Sequence, residues 1–307
     1  MKDKKILVLG STGMVGSSIL RHLHQKKFRN LYSPKRNELD LFDAGSVRKY
    51  FIKHKFDFIF MCAAKVGGIK ANSEQKADFI YENLLIQVNV INNAYLSGTK
   101  EMLFFGSSCI YPRDCKQPIK EEYLMSGRLE NTNESYAISK IAGIKMCQSY
   151  NHQFKTNYKS VMPTNLYGPG DNYDLNSSHV IPALIQKTYL AKENKSKNIT
   201  LWGTGKAKRD ILHVNDLARA SIVIMENIKT CDDIINVGSG SEYSIHDLAK
   251  IIIKCLDFNG NIVYDKTMPD GTPRKILNID KISSLGWQPS ISLKEGIEEV
   301  YKEKFSK

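Results

Sequence analysis

The 307-residue sequence lacks any long apolar run. A helix that crosses a bilayer needs about 18 to 20 consecutive apolar residues, so no such helix is expected. The first ten residues, MKDKKILVLG, are basic and then apolar, but the apolar part is too short for an export signal and is interpreted as a first strand. We therefore expect no association with a membrane.

Paired cysteines are also lacking. The six cysteines are scattered: none forms a C-x-x-C pair, and none is grouped with histidines at the spacing of a zinc site. This pattern excludes the disulfide framework of small secreted proteins, and we expect no metal. Reduced thiols are typical of cytoplasmic proteins, so the sequence predicts a cytoplasmic location.

Acidic residues are outnumbered by basic ones. The 44 lysines and arginines against 32 aspartates and glutamates give a net charge of +12. The lysines are dispersed, however, and the sequence has neither an arginine-rich tract nor a strip of alternating aromatic and basic residues. A solvated lysine-rich surface is therefore favoured over nucleic-acid binding, although an anionic small ligand could use a few of these charges.

Strand-like and helix-like segments alternate through the first half of the sequence. Strands are predicted at 4–9, 31–36, 56–64, 101–108 and 158–168, and helices at 15–27, 44–54, 77–98 and 133–153. This alternation is typical of βαβ units in an α/β fold, and it predicts a Rossmann-type doubly wound parallel sheet. Because loops dominate after about position 168, we predict a first domain over 1–167 and a smaller, irregular α/β substrate lobe mainly over 168–307, with a segment at about 210–240 returning to the first sheet.

The segment GSTGMVG places three glycines directly after the first strand and before the first helix. Gly10 permits a tight turn, Gly13 lets backbone N–H groups approach a pyrophosphate, and Gly16 lets the helix pack closely on the strand. An ordinary glycine-rich turn would have the same composition, but the βαβ context and the positive end of the helix favour a dinucleotide. The residues expected to bind it here are Gly10, Ser11, Thr12, Gly13, Met14, Val15 and Gly16.

The end of the second predicted strand determines which nicotinamide cofactor fits, because the ribose 2′ position lies there. Lys35 and Arg36 occupy this place, and the first acid after them is Glu38. A basic residue favours the 2′-phosphate of NADP(H), with Arg36 as its main partner; a merely solvated turn is the alternative. Asp40 and Leu41 are expected near the adenine.

Tyr136 and Lys140 lie four residues apart in SYAISK and share one face of a predicted helix. A free tyrosine has a pKa near ~10, so proton transfer at neutral pH requires a positive charge in a shielded cleft. Alone, this pair is typical of a surface helix. The serine-rich end of a predicted strand, GSS, lies about 29 residues earlier, and in a Rossmann-type chain it makes the pair a strong signal of an active site.

Further segments add to this set, namely AAKVGGI, GSSCIYP, TNESYAISKIAGIK, VMPTNLYGP, SHVIPALI, LHVNDLA and PDGTPRK. With them the sequence resembles the extended short-chain dehydrogenase/reductases and, within these, the GDP-L-fucose synthase family, over almost its whole length. The resemblance implies NADPH-dependent reduction at C4 of a GDP-4-keto-6-deoxy sugar, with epimerisation at C3 and C5. It also implies a GDP-sugar site in the second lobe, and a homodimer with contacts through the helices at 77–96 and 134–150.

The same resemblance implies roles for individual side chains. Tyr136 would protonate the C4 oxygen, Ser107 would hydrogen-bond it, and Lys140 would hold the nicotinamide ribose and lower the pKa of Tyr136. Cys109 and His179 would act as base and acid on opposite faces of the sugar, or in the reverse assignment. Taken singly, these two side chains would instead be a small core thiol and a loop histidine.

The resemblance also implies ligand contacts beyond these residues. Further cofactor contacts are Ala63, Ala64, Phe105, Gly106, Ser108, Lys140, Pro163, Thr164, Asn165, Leu166 and His179. Substrate contacts are Lys187, Trp202, Arg209 and Arg274, of which Trp202 could instead be a core aromatic and Lys187 an exposed helix lysine.

Three positions depart from the family pattern. Thr12 and Lys187 stand where arginine is frequent, and Asn278 stands where aspartate is frequent. Thr12 removes a possible contact with the cofactor phosphate and so bears on the choice of NADP(H). Lys187 and Asn278 lie around the substrate lobe, and they leave open a C4 reductase that acts on another GDP-4-keto sugar, such as a heptose, without epimerisation. A non-catalytic dinucleotide-binding protein is a further alternative, which the intact set of Ser107, Tyr136 and Lys140 disfavours.

Overall fold

The computed structural model describes residues 2–268 and 270–305. The strands are β1 (Lys5–Leu9), β2 (Asn30–Tyr32), β3 (Phe58–Met61), β4 (Glu101–Phe105), β5 (Asn157–Pro163), β6 (Asn165–Tyr167), β7 (Asn198–Trp202), β8 (Lys208–His213), β9 (Ile234–Val237), β10 (Glu242–Ser244), β11 (Asn261–Asp265) and β12 (Arg274–Lys275). The helices are α1 (Met14–Gln25), α2 (Ala44–His54), α3 (Ile69–Glu74), α4 (Lys76–Leu96), α5 (Glu134–Phe154), α6 (Val180–Glu193), α7 (Val214–Glu226), α8 (Ile245–Cys255), α9 (Asp280–Ser284) and α10 (Leu293–Phe305).

Six strands form one parallel sheet in the order β2-β1-β3-β4-β5-β9. The order runs in one direction from β1 to β2 and in the other from β3 onward. The sheet therefore has a switch point between β1 and β3, where a crevice opens at the carboxyl ends of the strands. The predicted α/β fold class is confirmed, and this edge is where a nucleotide is expected to bind.

Both faces of this sheet are buried, which explains the nearly continuous apolar runs of its strands. In β1, Ile6 and Val8 pack on the side of α1 and α7, and Leu7 and Leu9 pack on the side of α2, α4 and α5. Side chains of a strand point to alternate faces, so a single apolar segment supplies both cores. The helices packed on the two faces of the sheet therefore hold its strands in place.

A second lobe is built mainly from later segments. Strand β8 pairs with β6, β10 and β12, while β7 pairs with β11. A separate core joins α6, α8 and α10 in this lobe. The chain passes from β8 into α7, which packs in the same core as α1, and then into β9 of the first sheet. The predicted domain boundary at 167/168 stays a prediction, since the chain passes between the first sheet and the second lobe more than once.

Two predicted strands differ from the structure. The second strand ends at Tyr32 rather than at position 36, because Pro34 cannot donate a backbone hydrogen bond to the ladder. The segment predicted as one strand at 158–168 is two strands in different sheets. The chain switches sheets at Thr164, whose hydroxyl donates to the carbonyl oxygen of Asp210 at 2.9 Å.

Within the described residues, no helix is both long enough and apolar enough to cross a membrane. The six cysteines are free thiols. The described part of the chain contains no group of three or more histidine, cysteine or acidic side chains that could hold a metal ion.

Candidate active site

The glycine turn lies at the switch point of the sheet. Gly10 follows β1 with φ of +77°, and a Cβ atom there would lie 2.7 Å from the backbone nitrogen of Ala63. A Cβ atom on Gly16 would overlap the carbonyl oxygen of Gly10. Gly13 begins α1 without a side-chain cap in the described structure, so the first N–H groups of the helix face the turn unpaired. The geometry fits a pyrophosphate, as the sequence predicts.

The turn after β2 that carries Lys35 and Arg36 is exposed to solvent. The carboxylate of Glu38 accepts a hydrogen bond from the Lys35 N–H at 2.8 Å, so it closes the turn. The Arg36 guanidinium lies 5.1 Å from the ring centre of Phe42, and it makes no ion pair within the described residues. The side chain of Asp40 accepts from the Phe42 N–H at 3.0 Å. This arrangement fits a 2′-phosphate better than a 2′-hydroxyl.

The serine, tyrosine and lysine set converges beyond the end of β4. The Lys140 ammonium is buried and donates to the Phe105 carbonyl oxygen at 2.8 Å. It lies 5.8 Å from the ring centre of Tyr136, facing the ring rather than the hydroxyl. Ser107 accepts from the Cys109 N–H at 3.2 Å and begins a short 3₁₀ turn, Ser108–Ile110. These contacts fix a serine hydroxyl and a phenol at one edge of the sheet.

Burial governs the protonation of this set. Burial raises the pKa of Tyr136, the charge of Cys109 raises it further, and hydrogen bonding to Ser107 acts in the opposite direction. Burial lowers the pKa of Lys140 to about 8, and only the charge of Cys62 opposes this change. The lowering of the Tyr136 pKa by Lys140 was expected in a site that also holds the nicotinamide, and it stays a prediction; in the chain alone, burial of both groups acts in the opposite direction.

Cys109 contacts a lysine that sequence reasoning missed. The Lys275 ammonium donates to the Cys109 sulfur at 3.6 Å. His179 immediately precedes α6, and its side chain is partly exposed to solvent. Desolvation lowers its pKa, and the charge of Lys275 adds to this effect. Lys275 therefore contacts Cys109, and its charge also acts on His179; its only signal in the sequence was its place in PDGTPRK.

The loop that carries His179 is held by the segment AAKVGGI. The Gly68 N–H donates to the Ser177 carbonyl oxygen at 2.8 Å. A Cβ atom on Gly68 would lie 2.5 Å from the carbonyl oxygen of Ser178, so only glycine allows this approach. Sequence reasoning gave Gly68 no role, although the glycine pair in this motif was a visible signal.

Two of the four predicted substrate residues lie together. The Lys187 ammonium is 5.3 Å from the ring centre of Trp202 and donates to the Thr200 carbonyl oxygen at 2.9 Å. Both side chains are half-buried, so Lys187 is not an exposed helix lysine and Trp202 is not a core aromatic. Burial lowers the pKa of Lys187. Their stacking provides a flat cationic surface on which a sugar or base could pack.

The other two predicted substrate residues lie apart. The Arg209 guanidinium is tied to the carbonyl oxygens of Thr272 at 2.6 Å and Lys208 at 2.8 Å, and its charge interacts with Cys109. Arg274 is exposed and pairs with Glu242 at 2.7 Å. Neighbouring residues of a strand point to opposite sides, so Lys275 faces Cys109 and Arg274 faces away. Arg274 as a substrate ligand stays a prediction that this contact does not support.

The remaining predicted cofactor contacts lie along the same edge. They are the residues after β3 (Ala63, Ala64), the end of β4 and the turn after it (Phe105, Gly106, Ser108), the segment at the end of β5 (Pro163, Thr164, Asn165, Leu166), and Leu41. Backbone bonds hold two of these segments together, from the Gly106 N–H to Val161 at 2.9 Å and from the Thr164 N–H to Val237 at 3.0 Å. Their contacts with the cofactor stay predictions.

Comparison with known proteins agrees with this geometry. Residues 6–238 match the model of the NAD dependent epimerase/dehydratase family. The chain is 44% identical to the GDP-L-fucose synthase of Escherichia coli K12, covering 98% of this chain and 97% of that protein. It is 47% identical to the GDP-L-fucose synthase of Sinorhizobium fredii, covering 98% and 96%.

A solved structure is similar to this chain in both sequence and fold. MlghC, a GDP-mannoheptose C4 reductase from Campylobacter jejuni with NADP bound, is 37% identical, with a TM-score of 0.89 and coverage of 98% of each chain. The resemblance inferred from the motifs is confirmed. The chain belongs to the NAD dependent epimerase/dehydratase family, a group of extended short-chain dehydrogenase/reductases.

Proposed function

We propose that the protein is an NADPH-dependent enzyme that epimerises a GDP-4-keto-6-deoxy sugar at C3 and C5 and reduces it at C4, as in GDP-L-fucose synthesis. Full-length identity of 44% and 47% to two GDP-L-fucose synthases supports this function. The observation that carries it is the position of Cys109 beside the reductase set of Ser107, Tyr136 and Lys140: its N–H donates to the Ser107 hydroxyl at 3.2 Å, and that hydroxyl hydrogen-bonds Tyr136. One site then holds groups for both reactions.

The cofactor is NADP(H). The N–H groups at the start of α1 would hold the pyrophosphate, Arg36 would pair with the 2′-phosphate, and Lys140 would hold the nicotinamide ribose. When bound, NADPH supplies the hydride that reduces the C4 carbonyl. The residues of the chain orient the sugar, exclude water and provide the protons.

In the reduction, Tyr136 is the proton donor. Because burial raises its pKa, the phenol is protonated at neutral pH and enters the reaction with its proton. It donates this proton to the C4 oxygen as negative charge develops there, while Ser107 donates a second hydrogen bond. The tyrosinate that remains is balanced by the Lys140 ammonium, which lies beside the ring.

In the epimerisation, the C4 ketone makes the neighbouring C–H groups acidic. Inversion requires that a proton leave from one face of the sugar and that another arrive at the opposite face. Cys109 and His179 are suited to this pair of transfers, since a thiol and an imidazole can each take up or release a proton and neither side chain is fully buried.

Arg36 provides a test of the cofactor choice. Replacing Arg36 with glutamine should raise KM for NADPH about 10- to 100-fold, because a charge-assisted hydrogen bond to the 2′-phosphate is lost. KM for NADH should stay unchanged. Steady-state kinetics with both cofactors would measure this, with Arg48→Gln on the exposed side of α2 as a control of equal charge. An equal loss with both cofactors would place Arg36 outside the phosphate site.

A second candidate function is C4 reduction alone on a GDP-4-keto heptose, which the similarity to MlghC supports. The departures from the family pattern at Lys187 and Asn278 give little support to this second function. Lys187 keeps the cationic charge, and the Asn278 side chain donates to Asp280 at 2.8 Å, outside the cluster at Cys109. Assays of NADPH oxidation with GDP-4-keto-6-deoxy-mannose and with GDP-4-keto-heptoses would distinguish the two. Turnover with only the heptose would overturn the first proposal.

Two finer proposals concern the state of the protein. Helices α4 and α5 pack together and expose Tyr81, Val88 and Ile138, so we propose that they form the contact of a homodimer. Light scattering should then report twice the 34.8 kDa mass of the chain, and Val88→Asp should lower it to the mass of one chain.

The six free thiols support a cytoplasmic location, which cell fractionation would test.

A further inference from the structure

The short turn that carries Ser107 and Cys109 is weakly bonded within itself. Ser107 begins the 3₁₀ turn Ser108–Ile110, and Tyr111 ends it. The Ile110 N–H lies 3.3 Å from the Ser107 carbonyl oxygen, and the Tyr111 N–H lies 3.5 Å from the Ser108 carbonyl oxygen. Both distances exceed the usual range for an N–H to oxygen bond, so the turn depends on anchors outside it.

The Tyr111 side chain provides such an anchor. It is buried among the apolar residues on the side of α2, α4 and α5, and its hydroxyl donates to the side-chain oxygen of Asn236 in β9 at 2.6 Å. Burial raises the pKa of Tyr111 well above its ordinary value, so the hydroxyl keeps its proton and remains a donor. The end of the turn is therefore bonded to the opposite end of the sheet order from β2.

Asn236 is the centre of a buried network at the edge of the sheet. Strand β9 ends the order of the six strands, and the backbone groups on its outer edge need other partners. The Asn236 N–H donates to the Glu121 carboxylate at 2.9 Å, and its side-chain N–H donates to the Ile119 carbonyl oxygen at 2.9 Å. Since Asn236 is fully buried, loss of the Tyr111 hydroxyl would leave its side-chain oxygen without that partner.

The same network reaches the segment that follows β12. The Ile119 N–H donates to the Ile276 carbonyl oxygen at 2.8 Å, and the Asn278 N–H donates to the Ile119 carbonyl oxygen at 2.8 Å. Ile276 follows Lys275, whose ammonium contacts the Cys109 sulfur. Asn236 is thus bonded on one side to the turn and on the other to a segment that contacts the turn again.

We propose that Tyr111 and Asn236 are positioning residues whose hydrogen bond holds the turn after β4, and with it the Ser107 hydroxyl, in place against Tyr136. Both side chains are buried, so they act through the turn and not on the sugar. The effect on catalysis rests on the proposed function. The 2.6 Å bond carries the proposal, together with the long bonds inside the turn.

Removal of one hydroxyl tests the effect on catalysis. Tyr111→Phe should lower kcat for NADPH oxidation with GDP-4-keto-6-deoxy-mannose by about 10- to 100-fold, because a displacement of about 1 Å can cost about 10² in rate. KM for NADPH should stay unchanged, because the N–H groups that would hold the pyrophosphate lie after β1. On an Asn236→Ala background, Tyr111→Phe should lower kcat little further, since the hydroxyl has already lost its partner.

Tyr158→Phe is the matched control. Tyr158 is buried in the same core, and its hydroxyl donates to the Thr99 carbonyl oxygen at 2.7 Å. Thr99 lies before β4, at the opposite end of that strand from Ser107. Both variants break one buried hydrogen bond and should lower Tm by similar amounts. Only Tyr111→Phe should lower kcat, and equal kcat values in the two variants would overturn the positioning role.

Amide hydrogen exchange tests the anchor without substrate. Mass spectrometry of a peptide that covers residues 107–111 should show exchange about three- to tenfold faster in Tyr111→Phe than in the wild type. Tyr158→Phe should leave exchange in this peptide unchanged. An unchanged rate in Tyr111→Phe, or an equal rise in Tyr158→Phe, would contradict the anchor.

The two proposals can fail separately. If the wild type oxidises no NADPH with the keto sugar, the proposed function fails, and exchange in the 107–111 peptide still decides whether Tyr111 holds the turn. If the wild type turns over and Tyr111→Phe matches Tyr158→Phe in kcat, the proposed function stands and the role of Tyr111 fails.

Discussion

Replacing Tyr136 with phenylalanine is expected to lower kcat for NADPH oxidation by about 10²- to 10⁴-fold, the usual contribution of a positioned proton donor. The phenol is the group with an accessible proton beside Ser107, and Lys140 cannot replace it because its ammonium donates to the Phe105 carbonyl oxygen. Binding of NADPH should change little. Stopped-flow measurement of cofactor oxidation, with cofactor binding followed by fluorescence, would separate the two effects.

A matched control lies on the same helix. Tyr150→Phe also removes one hydroxyl from α5, where it bonds to the Asn92 side chain at 2.8 Å, and it should keep full activity. Tyr136→Phe should lower the deuterium exchange of the sugar less than it lowers reduction, since the phenol removes no C–H proton but does hydrogen-bond the C4 oxygen on which the enolate charge develops. Unchanged turnover in Tyr136→Phe would contradict the reductase mechanism.

Replacing Cys109 with serine is expected to lower deuterium exchange at C3 and C5 by about 10²- to 10⁴-fold, because a serine hydroxyl does not form an anion at neutral pH. The Ser107 N-cap contact of the 3₁₀ turn uses the backbone N–H of residue 109, so the serine variant should keep the local structure. Direct reduction of the keto sugar should remain, and the product should be the unepimerised alcohol. Nuclear magnetic resonance of the product would identify it.

Cys115→Ser is the matched control for this variant. Cys115 is half-buried and also lies within the influence of Lys275, but burial raises its pKa, so it should contribute no thiolate. Its loss should leave exchange intact. If Cys115→Ser lost deuterium exchange and Cys109→Ser kept it, the base would be Cys115 rather than Cys109.

Much of the fold follows from local sequence patterns. The helix α2 begins and ends where the sequence predicts, at Ala44–His54, because its apolar positions recur at helical spacing and Asp43 caps its first turn. The glycine turn and the pair of Tyr136 and Lys140 were equally visible, since each is a short-range pattern within one element. These features need no knowledge of distant residues.

The parts that could not be predicted depend on long-range contacts. Lys275 lies 166 positions from Cys109, and the two are brought together by the pairing of β12 with β8 and by the backbone bond from Ile119 to Ile276. The choice between Arg274 and Lys275 depends on which face of a two-residue strand points into the cleft. The pKa of Tyr136 is raised because the assembled site buries the phenol, and this burial cannot be predicted from the i, i+4 spacing of Tyr136 and Lys140.

The claim that one site both epimerises and reduces is tested most directly by a single turnover in D₂O with unlabelled NADPH and GDP-4-keto-6-deoxy-mannose. The account predicts a product with solvent deuterium at both C3 and C5 and with the hydrogen of the cofactor at C4. A reduced product without solvent deuterium at either carbon would contradict it.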